Sequence, residues 1–339
     1  MNLAELTTLR LGGPAGQILE AADEQRLVDA VAIADQAGDP ALIVAGGSNL
    51  VIADEGFPGT VILVRSRGIS VDADACSGAM VTVQAGENWD DFVAHAIGQG
   101  WVGIEALSGV PGSVGATPIQ NVGAYGQDVS QTIASVRTYD RVESKIRTFA
   151  AADCGFSYRH SRFKAEPRRY VVLSVTYQFA LGDLSAPVAY AELARTLGVE
   201  VGERAPAAAV RDAVLGLRSG KGMVLDADDH DTWSAGSFFT NPILSPELAA
   251  SLPADAPRYY QPDGTVKTSA AWLIERAGFA RGYGDGPAKL STKHTLALTN
   301  RGGATTEDLL DLARKIRTAV EAEFGITLVN EPVLVRCDL

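Results

Sequence analysis

The chain has 339 residues, of which 46% are hydrophobic and 35 are glycine. A chain of this length can bury substantial cores, and we expect an ordinary globular protein of two or three domains. Its 29 basic and 41 acidic residues give a formal net charge of -12, which opposes binding to nucleic acid or to an anionic membrane through bulk electrostatics. A polyanionic small ligand would need local positive groups.

Cysteine usage and the N-terminus indicate the compartment. Cys76, Cys154 and Cys337 are widely spaced and form no Cys-x-x-Cys motif, so the sequence predicts neither a disulfide scaffold nor a zinc site. The first residues do not read as a secretory signal, and no apolar run approaches the about 20 residues that span a bilayer. These features predict a cytoplasmic protein without a metal site or a membrane segment.

Hydrophobic periodicity and capping residues predict the elements in chain order. The first group is a helix at 23–38, with Asp23 as its N-cap and Gly38 as its terminator, a strand at 41–45 and a strand at 60–64. The second group is a strand at 80–85, a helix at 88–99, strands near 136–139 and 170–181, and helices at 187–197 and 206–218. The third group is a helix at 269–277, a strand at 295–299, a helix at 305–324 that begins with a Thr-x-x-Asp variant of the capping box, and a strand at 326–336. This mixture predicts an α+β protein.

Two glycine-rich segments point to a bound cofactor. Residues 46–49 read Gly-Gly-Ser-Asn after a strand, where backbone N–H groups can turn toward a phosphate. A plain turn at the end of a strand explains this short segment equally well. The second segment, residues 108–126, has too many glycines and prolines for a helix or a central strand. A structural loop this long is unusual in a compact domain, so we expect it to line a ligand.

One serine lies between glycine and paired aromatic residues. Ser237 follows Gly236 and precedes Phe238 and Phe239, without the elbow of a nucleophilic serine or a histidine in a recognisable triad order. We therefore expect its hydroxyl to give a proton, whereas the alternative is a Gly-Ser turn before a buried phenylalanine pair. The acidic run 226–231 resembles a metal site at first sight, but a solvated loop is the better interpretation.

Six motifs, in the same order, resemble the UDP-N-acetylenolpyruvoylglucosamine reductases of bacterial cell-wall synthesis (the MurB family), over roughly residues 5–336. The motifs are Gly46-Gly47-Ser48-Asn49-Leu50, Gly103-Ile104-Glu105, the loop from Pro111-Gly112 to Gly126, Tyr158-Arg159-His160-Ser161-Arg162-Phe163-Lys164, Gly236-Ser237-Phe238-Phe239 with Asn241-Pro242, and Asn330-Glu331-Pro332. A tyrosine, Tyr190, matches the extra segment of the longer branch of that family. Six motifs in register are specific together.

The resemblance implies an α+β fold with two FAD-binding subdomains of the vanillyl-alcohol-oxidase (PCMH) type and a C-terminal α+β substrate-binding domain. We expect subdomain 1 at 1–69, joined by the C-terminal strand at 326–339, subdomain 2 at 70–222 and the substrate-binding domain at 223–325. The implied reaction uses NADPH to reduce FAD, which then reduces the enolpyruvyl ether of the substrate to UDP-N-acetylmuramate. This is a step of peptidoglycan precursor synthesis, and we expect a monomer.

The implied chemistry assigns three catalytic residues. Hydride adds to the terminal carbon of an unsaturated carboxylate and leaves an enolate that must be protonated at the adjacent carbon. Arg159 is expected to grip the carboxylate, because a guanidinium stays charged and binds in a bidentate manner. Glu331 would orient or hydrogen-bond the enolate, and Ser237 would deliver the proton. Taken singly, Arg159 and Glu331 would more often be surface or ion-pair residues.

The two glycine-rich segments supply the expected FAD contacts. These are Gly46, Gly47, Ser48, Asn49, Leu50, Ser108, Pro111, Gly112, Gly115, Ala116, Pro118, Gln120, Asn121, Gly123, Ala124, Tyr125 and Gly126. Neither glycine motif contains a histidine or cysteine, so we predict that FAD is bound noncovalently.

Substrate contacts follow less directly. The candidates are Tyr190, Lys221, Asn241, Tyr259, Lys267 and His294. The resemblance implies that Tyr190 closes like a lid on the uridine diphosphate, and a core aromatic is the alternative. The lysines would neutralise the diphosphate or help the nicotinamide cofactor to bind, and exposed lysines without a role are the alternative.

Two rival functions remain open at this point. A flavin-dependent oxidase of the same superfamily, acting on a sugar or a phenolic alcohol, would share the first two domains but would pass electrons to oxygen. The serine motif argues against it. A non-catalytic module that holds a flavin or a UDP-sugar is the second alternative, and the intact Arg159, Ser237 and Glu331 argue against that.

Overall fold

The computed structural model describes residues 1–74 and 78–339, without the side chains of residues 73 and 74. Cys76 therefore lies outside the described residues. The chain divides into two compact units. The first unit contains Met1–Pro14, Gly47–Phe57 and Lys221–Leu339, and the second contains Ala15–Gly46 and Pro58–Gly220.

The described residues form short strands and helices of moderate length. The helices are α1 (Glu24–Ala37), α2 (Trp89–Gly98), α3 (Arg162–Ala165), α4 (Ala191–Leu197), α5 (Ala207–Gly220), α6 (Pro246–Ser251), α7 (Ala270–Arg276) and α8 (Thr306–Phe324). The strands are β1 (Ala15–Ala21), β2 (Ala41–Val44), β3 (Leu50–Ile52), β4 (Phe57–Val64), β5 (Ile69–Asp74), β6 (Gly78–Gln84), β7 (Trp101–Val102), β8 (Gly123–Ala124), β9 (Gln127–Asp128), β10 (Ile133–Asp140), β11 (Lys145–Ala150), β12 (Tyr170–Leu181), β13 (Ile243–Leu244), β14 (Tyr259–Tyr260), β15 (Val266–Lys267), β16 (Ala288–Leu290), β17 (Leu298–Asn300) and β18 (Val333–Val335).

The second unit contains a small sheet and a larger one. The small sheet has the order β1-β4-β2, with β2 and β4 parallel. Helix α1 begins where the Asp23 side chain accepts a hydrogen bond from the Arg26 backbone N–H, and it ends at Gly38 in a left-handed conformation. Both signals were read in the sequence, and both are confirmed.

The larger sheet of the second unit carries most of its core. Its order is β11-β10-β12-β6-β5, with antiparallel neighbours, and β7 pairs with β12. Aromatic side chains from β12 and α2 pack on one another here, and the rings of Tyr177 and Phe179 stack at 5.5 Å. Burial of such rings is a large part of the hydrophobic driving force for this sheet.

The first unit is built around α8. The predicted capping box is present, since the Thr305 side chain accepts from the Asp308 N–H while the Asp308 carboxylate accepts from the Thr305 N–H at 2.8 Å. The carboxylate of Asp54 also accepts from the Thr306 N–H, at 2.8 Å. Strand β18 pairs in parallel with β3, which joins the C-terminal end of the chain to the segment that follows the first glycine loop.

Several sequence-based boundaries need correction. The helix expected at 187–197 begins only at Ala191, because Val188 instead exchanges backbone hydrogen bonds with Gly202 and Glu203. The strand expected at 326–336 is limited to Val333–Val335, and the one expected at 295–299 is Leu298–Asn300. Strand β11 was not predicted, because its side chains are mostly exposed and it lacks the apolar run that marks a buried strand.

Candidate active site

A tight turn in the second unit presents Arg159. The backbones of Ser157 and His160 hydrogen-bond to each other in both directions, at 3.1 and 3.2 Å. Arg159, between them, has a φ of 52°, which is uncommon for a side chain of this size. Its Nη2 donates to the carbonyl oxygen of Gly123 at 2.8 Å. The guanidinium is thereby held against the second glycine-rich segment.

Two further bonds tie the Arg159 turn to that segment. The Asn121 side-chain amide donates to the carbonyl of Ser157 at 3.2 Å, and the Ser161 hydroxyl donates to the carbonyl of Ile119 at 2.5 Å. Asn121 is buried, and its side-chain oxygen accepts from the Ser130 N–H at 3.1 Å. Asn121 was predicted to contact FAD, yet its side chain is engaged in fixing this loop.

The second glycine-rich segment packs closely on its neighbours in the second unit. A Cβ on Gly115 would lie 2.4 Å from the Ala85 Cβ, and a Cβ on Gly46 would lie 2.6 Å from the Cα of Gly112. Real side chains do not tolerate such distances, so glycine is required for this approach of one backbone to another. The first glycine motif therefore meets the second one through Gly46.

A buried hydroxyl without a partner lies at this meeting point. The Ser113 side chain is 4% exposed, and its Oγ has no hydrogen-bond partner among the described residues. A buried polar group is normally paired, and glycine-rich backbone beside a free hydroxyl suits phosphate oxygens. These residues fit the diphosphate of FAD. Ser113 was absent from the predicted FAD contacts, since the sequence reading treated it as a variable loop position.

Two hydroxyl groups of the second glycine-rich segment, one of them on the predicted FAD contact Ser108, support the loop. The Ser108 hydroxyl donates to the carbonyl of Glu105 at 2.7 Å, so its proton is engaged within the protein. The Thr117 hydroxyl lies 3.2 Å from the Tyr177 hydroxyl in the core of the larger sheet. Burial raises the pKa of Tyr177, so this hydroxyl stays protonated and can serve as a neutral anchor for the segment.

In the first unit, Ser237 and Glu331 lie on adjacent backbone segments. The Glu331 N–H donates to the carbonyl of Phe238 at 2.8 Å, and the Phe238 N–H donates to the carbonyl of Leu296 at 2.7 Å. The rings of Phe238 and Phe239 are buried, as the turn interpretation of this motif also expected. The fixed phenylalanines leave Ser237 half-buried beside the Glu331 segment.

Asn49 connects the first glycine motif to Glu331. Its carbonyl accepts from the Val333 N–H at 2.9 Å, and its side-chain amide lies 3.5 Å from the carbonyl of Glu331. Asn49 was predicted as an FAD contact, and its side chain also lies beside the Glu331 carbonyl. Asn49 therefore helps to hold the first glycine motif against the segment 331–333 in the first unit.

The acidic run 226–231 is only partly the solvated loop that we expected. Asp231 is buried, and it accepts from the Thr292 N–H at 2.8 Å and from Arg301 Nη1 at 2.7 Å. Burial by itself raises the pKa of Asp231, but the Thr292 hydrogen bonds and the Arg301 charge outweigh burial and leave that pKa below its ordinary value. No group of histidine, cysteine and acidic residues in the described part of the chain could hold a metal ion.

The predicted substrate residues fall in both units. Tyr190 is 45% exposed, which excludes the core-aromatic alternative, and its ring meets the Tyr125 ring edge-on at 5.4 Å. Tyr259 is exposed, whereas Lys221, Lys267 and His294 are half-buried. The Asn241 side chain accepts from the Ala270 N–H at 2.9 Å, at the start of α7. Asn241 thus orients that helix, a contact that sequence order alone did not indicate.

The buried Cys154 thiol is poorly reactive. Cys154, in the second unit, is fully buried, and burial raises the pKa of its thiol to about 11. A thiol reacts as its thiolate, so Cys154 is unsuited to covalent attachment of a flavin.

Across the described residues, no helix is long and apolar enough to cross a membrane.

Comparison with known proteins places this chain in a class. A family model described as "FAD binding domain" matches residues 15–148, which include Ser113 and the closely packed glycines. The chain is thus a flavoprotein with an FAD-binding region and a C-terminal α+β domain. A second model, "UDP-N-acetylenolpyruvoylglucosamine reductase, C-terminal domain", matches residues 228–335. The chain belongs to the UDP-N-acetylenolpyruvoylglucosamine reductase family.

Full-length relatives carry this family assignment. The chain is 57% identical to the UDP-N-acetylenolpyruvoylglucosamine reductase of Cutibacterium acnes, over 99% of this chain and 90% of that protein. It is 58% identical to the one of Streptomyces avermitilis, over 99% of this chain and 94% of that protein. The crystal structure of the reductase of Thermus caldophilus superposes with a TM-score of 0.67 at 23% identity, over 99% and 97% of the two chains. That structure supports the fold.

Proposed function

We propose that this chain reduces UDP-N-acetylglucosamine enolpyruvate to UDP-N-acetylmuramate, with Arg159, Glu331 and Ser237 as its catalytic residues. The family assignment gives the reaction. The observation that supports the residue roles is the hydrogen bond from the Glu331 N–H to the Phe238 carbonyl, at 2.8 Å. This bond places the backbone around Glu331 beside the backbone around Ser237. FAD, reduced by NADPH, supplies the two-electron reduction of the enolpyruvyl double bond.

Arg159 binds the substrate carboxylate in this proposal. Its guanidinium already donates to the carbonyl of Gly123 through Nη2, and a planar guanidinium has five N–H donors in total. The turn that carries it is held in place by Asn121 and Ser161. A preorganised cation stabilises the negative charge that the carboxylate gains as the enolate forms.

Ser237 and Glu331 complete the reaction in this proposal. The Ser237 hydroxyl protonates the enolate at the carbon next to the carboxylate, and Glu331, as the neutral carboxylic acid, donates a hydrogen bond to the enolate oxygen. The two segments are coupled through Phe238, whose N–H and carbonyl are both engaged. A neutral hydroxyl can act as the acid because an enolate is a strong base.

FAD binds noncovalently to the two glycine-rich segments in this proposal. The close approach of Gly46 to Gly112 and the unpaired Ser113 hydroxyl support this placement, and the buried Cys154 thiol supports noncovalent binding. We further propose the three-domain division at 1–69 with 326–339, 70–222 and 223–325.

The substrate contacts and the cellular setting belong to the same proposal. Exposed Tyr190 closes on the uridine diphosphate. Lys221 and Lys267 neutralise its charge or that of NADPH, and Asn241, Tyr259 and His294 are further substrate contacts. The protein acts as a cytoplasmic monomer in cell-wall biogenesis, and thereby supports cell shape and cell division. The net charge of -12 is in keeping with a small-molecule substrate as its partner and opposes nucleic acid as one.

Anaerobic stopped-flow spectroscopy tests the reaction. The purified FAD-loaded protein is first reduced with NADPH, and UDP-N-acetylglucosamine enolpyruvate is then added. We expect the oxidised flavin band to return rapidly and UDP-N-acetylmuramate to form. A flavin that stays reduced until air is admitted would instead support the oxidase, and a protein that binds FAD or the UDP-sugar without turnover would support the binding module.

A further inference from the structure

Glu105 is a fully buried carboxylate in the second unit, and all three groups that donate to it are neutral. Oε2 accepts from the Gly103 N–H at 2.6 Å. Oε1 accepts from the Ala186 N–H at 2.6 Å and from Gln127 Nε2 at 3.2 Å. A buried charge needs such compensation to be tolerated. Its position is therefore set by three separate parts of the chain.

Two of the hydrogen-bond partners of Glu105 belong to the glycine-rich hairpin and to the segment before Tyr190. Gln127 begins β9, directly after the Tyr125-Gly126 turn, and its side-chain oxygen accepts in return from the Ala106 N–H at 2.8 Å. Ala186 lies in the extended segment that leads to Tyr190. One carboxylate oxygen thus joins the hairpin of the glycine-rich loop to the segment that carries Tyr190.

The same two segments touch further along. A Cβ on Gly126 would lie 2.8 Å from the Ala189 Cβ, so the Tyr190 segment rests directly on the hairpin turn. The ring of Tyr190 meets the ring of Tyr125 edge-on. At the other end of the hairpin, the Gly123 carbonyl accepts from Arg159. The hairpin β8–β9 therefore contacts both Tyr190 and Arg159.

We propose that Glu105 is a positioning residue that sets the Tyr190 segment on the β8–β9 hairpin, and so fixes the distance between the diphosphate end and the carboxylate end of the substrate site. This inference rests on the proposed roles of Tyr190 and Arg159. Glu105 acts through Ala186 and Gln127. Its effect is on substrate binding, because the segment that it fastens holds the remote part of the substrate.

A carboxylate suits this position because the three groups that bond to the Glu105 side chain among the described residues are all donors. An ionised carboxylate is an acceptor at both oxygens, whereas the amide of glutamine has one oxygen and an NH₂ group that only donates. In Glu105→Gln, either the Gly103 N–H or the Ala186 N–H would face this NH₂ group. The substitution keeps the shape of the side chain, so it tests the hydrogen bonds with little change in packing.

The experiment compares FAD-loaded wild-type protein with E105Q in both half-reactions. We expect the rate of flavin reduction by NADPH to be unchanged, kcat to be nearly unchanged, and KM for UDP-N-acetylglucosamine enolpyruvate to rise about tenfold, a difference of about 1.4 kcal/mol. Amide hydrogen exchange should accelerate at residues 186–190. Glu143→Gln, which changes a partly exposed carboxylate beside Lys145 and Arg147, is the matched control and should leave KM unchanged.

An unchanged KM in E105Q would overturn the inference. Rates that fall equally in both half-reactions, together with a lower thermal midpoint, would also overturn it, because they indicate a general structural role. If E105Q does not fold, Gln127→Leu removes the side-chain bridge and leaves the Gly103 and Ala186 bonds in place. It should raise KM in the same direction, and a normal KM for that variant contradicts the inference. Wild-type protein that fails to turn over the UDP-sugar would instead contradict the proposed function.

Discussion

Arg159 Nη2 donates to the carbonyl of Gly123 at 2.8 Å, and this bond fixes a cation against a loop of the FAD-binding region. The donor residue has a left-handed backbone, with a φ of 52°. Such conformations persist where the surrounding structure determines them, and they are concentrated at functional sites. The Asn121 and Ser161 bonds to the same loop provide that support.

Arg159→Ala should weaken both the binding of the enolpyruvyl substrate and its reduction, because one cation serves the ground state and the transition state. We expect kcat/KM for this substrate to fall about 10²-fold or more, while NADPH still reduces the flavin. Steady-state kinetics with a separate flavin-reduction assay measure both effects. Arg168→Ala, which changes an exposed arginine close to Arg159 in the sequence, is the control. Equal kinetic constants in the two variants would exclude Arg159 as a catalytic residue.

Ser237→Ala should leave flavin reduction by NADPH unchanged and slow flavin reoxidation by the enolpyruvyl substrate. The expected loss is roughly 10²–10⁴-fold, as for removal of a general acid. The control is Thr240→Val, which removes another hydroxyl close to Ser237 in the sequence, one that bonds to the Val329 carbonyl. The flavin of this variant should be reoxidised at the wild-type rate. A collapse of the NADPH half-reaction in Ser237→Ala would show that the assignment is wrong.

Ser113→Ala should have opposite effects on the empty and the loaded protein. The FAD-free protein should gain stability, because a buried hydroxyl without a partner costs about 1–3 kcal/mol. FAD should bind more weakly, because its phosphate loses a donor. Thermal melts with and without FAD measure both quantities. Thr138→Val, which removes a buried hydroxyl that is paired with the Arg147 carbonyl, should destabilise both forms alike, and unaltered FAD affinity in Ser113→Ala would remove Ser113 from the site.

Asp231 should make the first unit sensitive to acid. Its pKa is lowered in the folded protein, so its stabilising contribution is complete above the ordinary aspartate pKa of about 3.9 and is lost as the pH falls below it. Asp231→Asn should lower the free energy of unfolding by about 2 kcal/mol at neutral pH and flatten the loss of stability below pH 4. Urea unfolding between about pH 3 and 7 tests this.

Asp228→Asn is the matched control for that experiment, because Asp228 is exposed in the same acidic run. It should leave both the stability at neutral pH and the acid limb unchanged. If Asp231→Asn unfolds with the wild-type pH dependence, then Thr292 and Arg301 do not hold Asp231 in its charged form.

Much of the fold could be read from the sequence because its signals are local. The Asp23 cap of α1, the left-handed Gly38 and the Thr305 capping box all depend on residues within one helical turn of one another. The glycines of the second segment predicted a path that lines a ligand, and the close packing of Gly115 on Ala85 is a contact that this prediction did not include. Strand β11 was not predicted, because it is an exposed edge strand and its sequence lacks the run of apolar residues that marks a buried strand.

Within the candidate site, the sequence by itself determined the residue types and the family, through six motifs that occur in order. Only the tertiary structure decided which residues hold one another. Asn49 and Val333 are 284 positions apart, Asp231 and Thr292 are 61 apart, and Glu105 and Ala186 are 81 apart. A hydrogen bond requires atoms within about 3 Å, and which distant segments come that close depends on the packing of the whole unit.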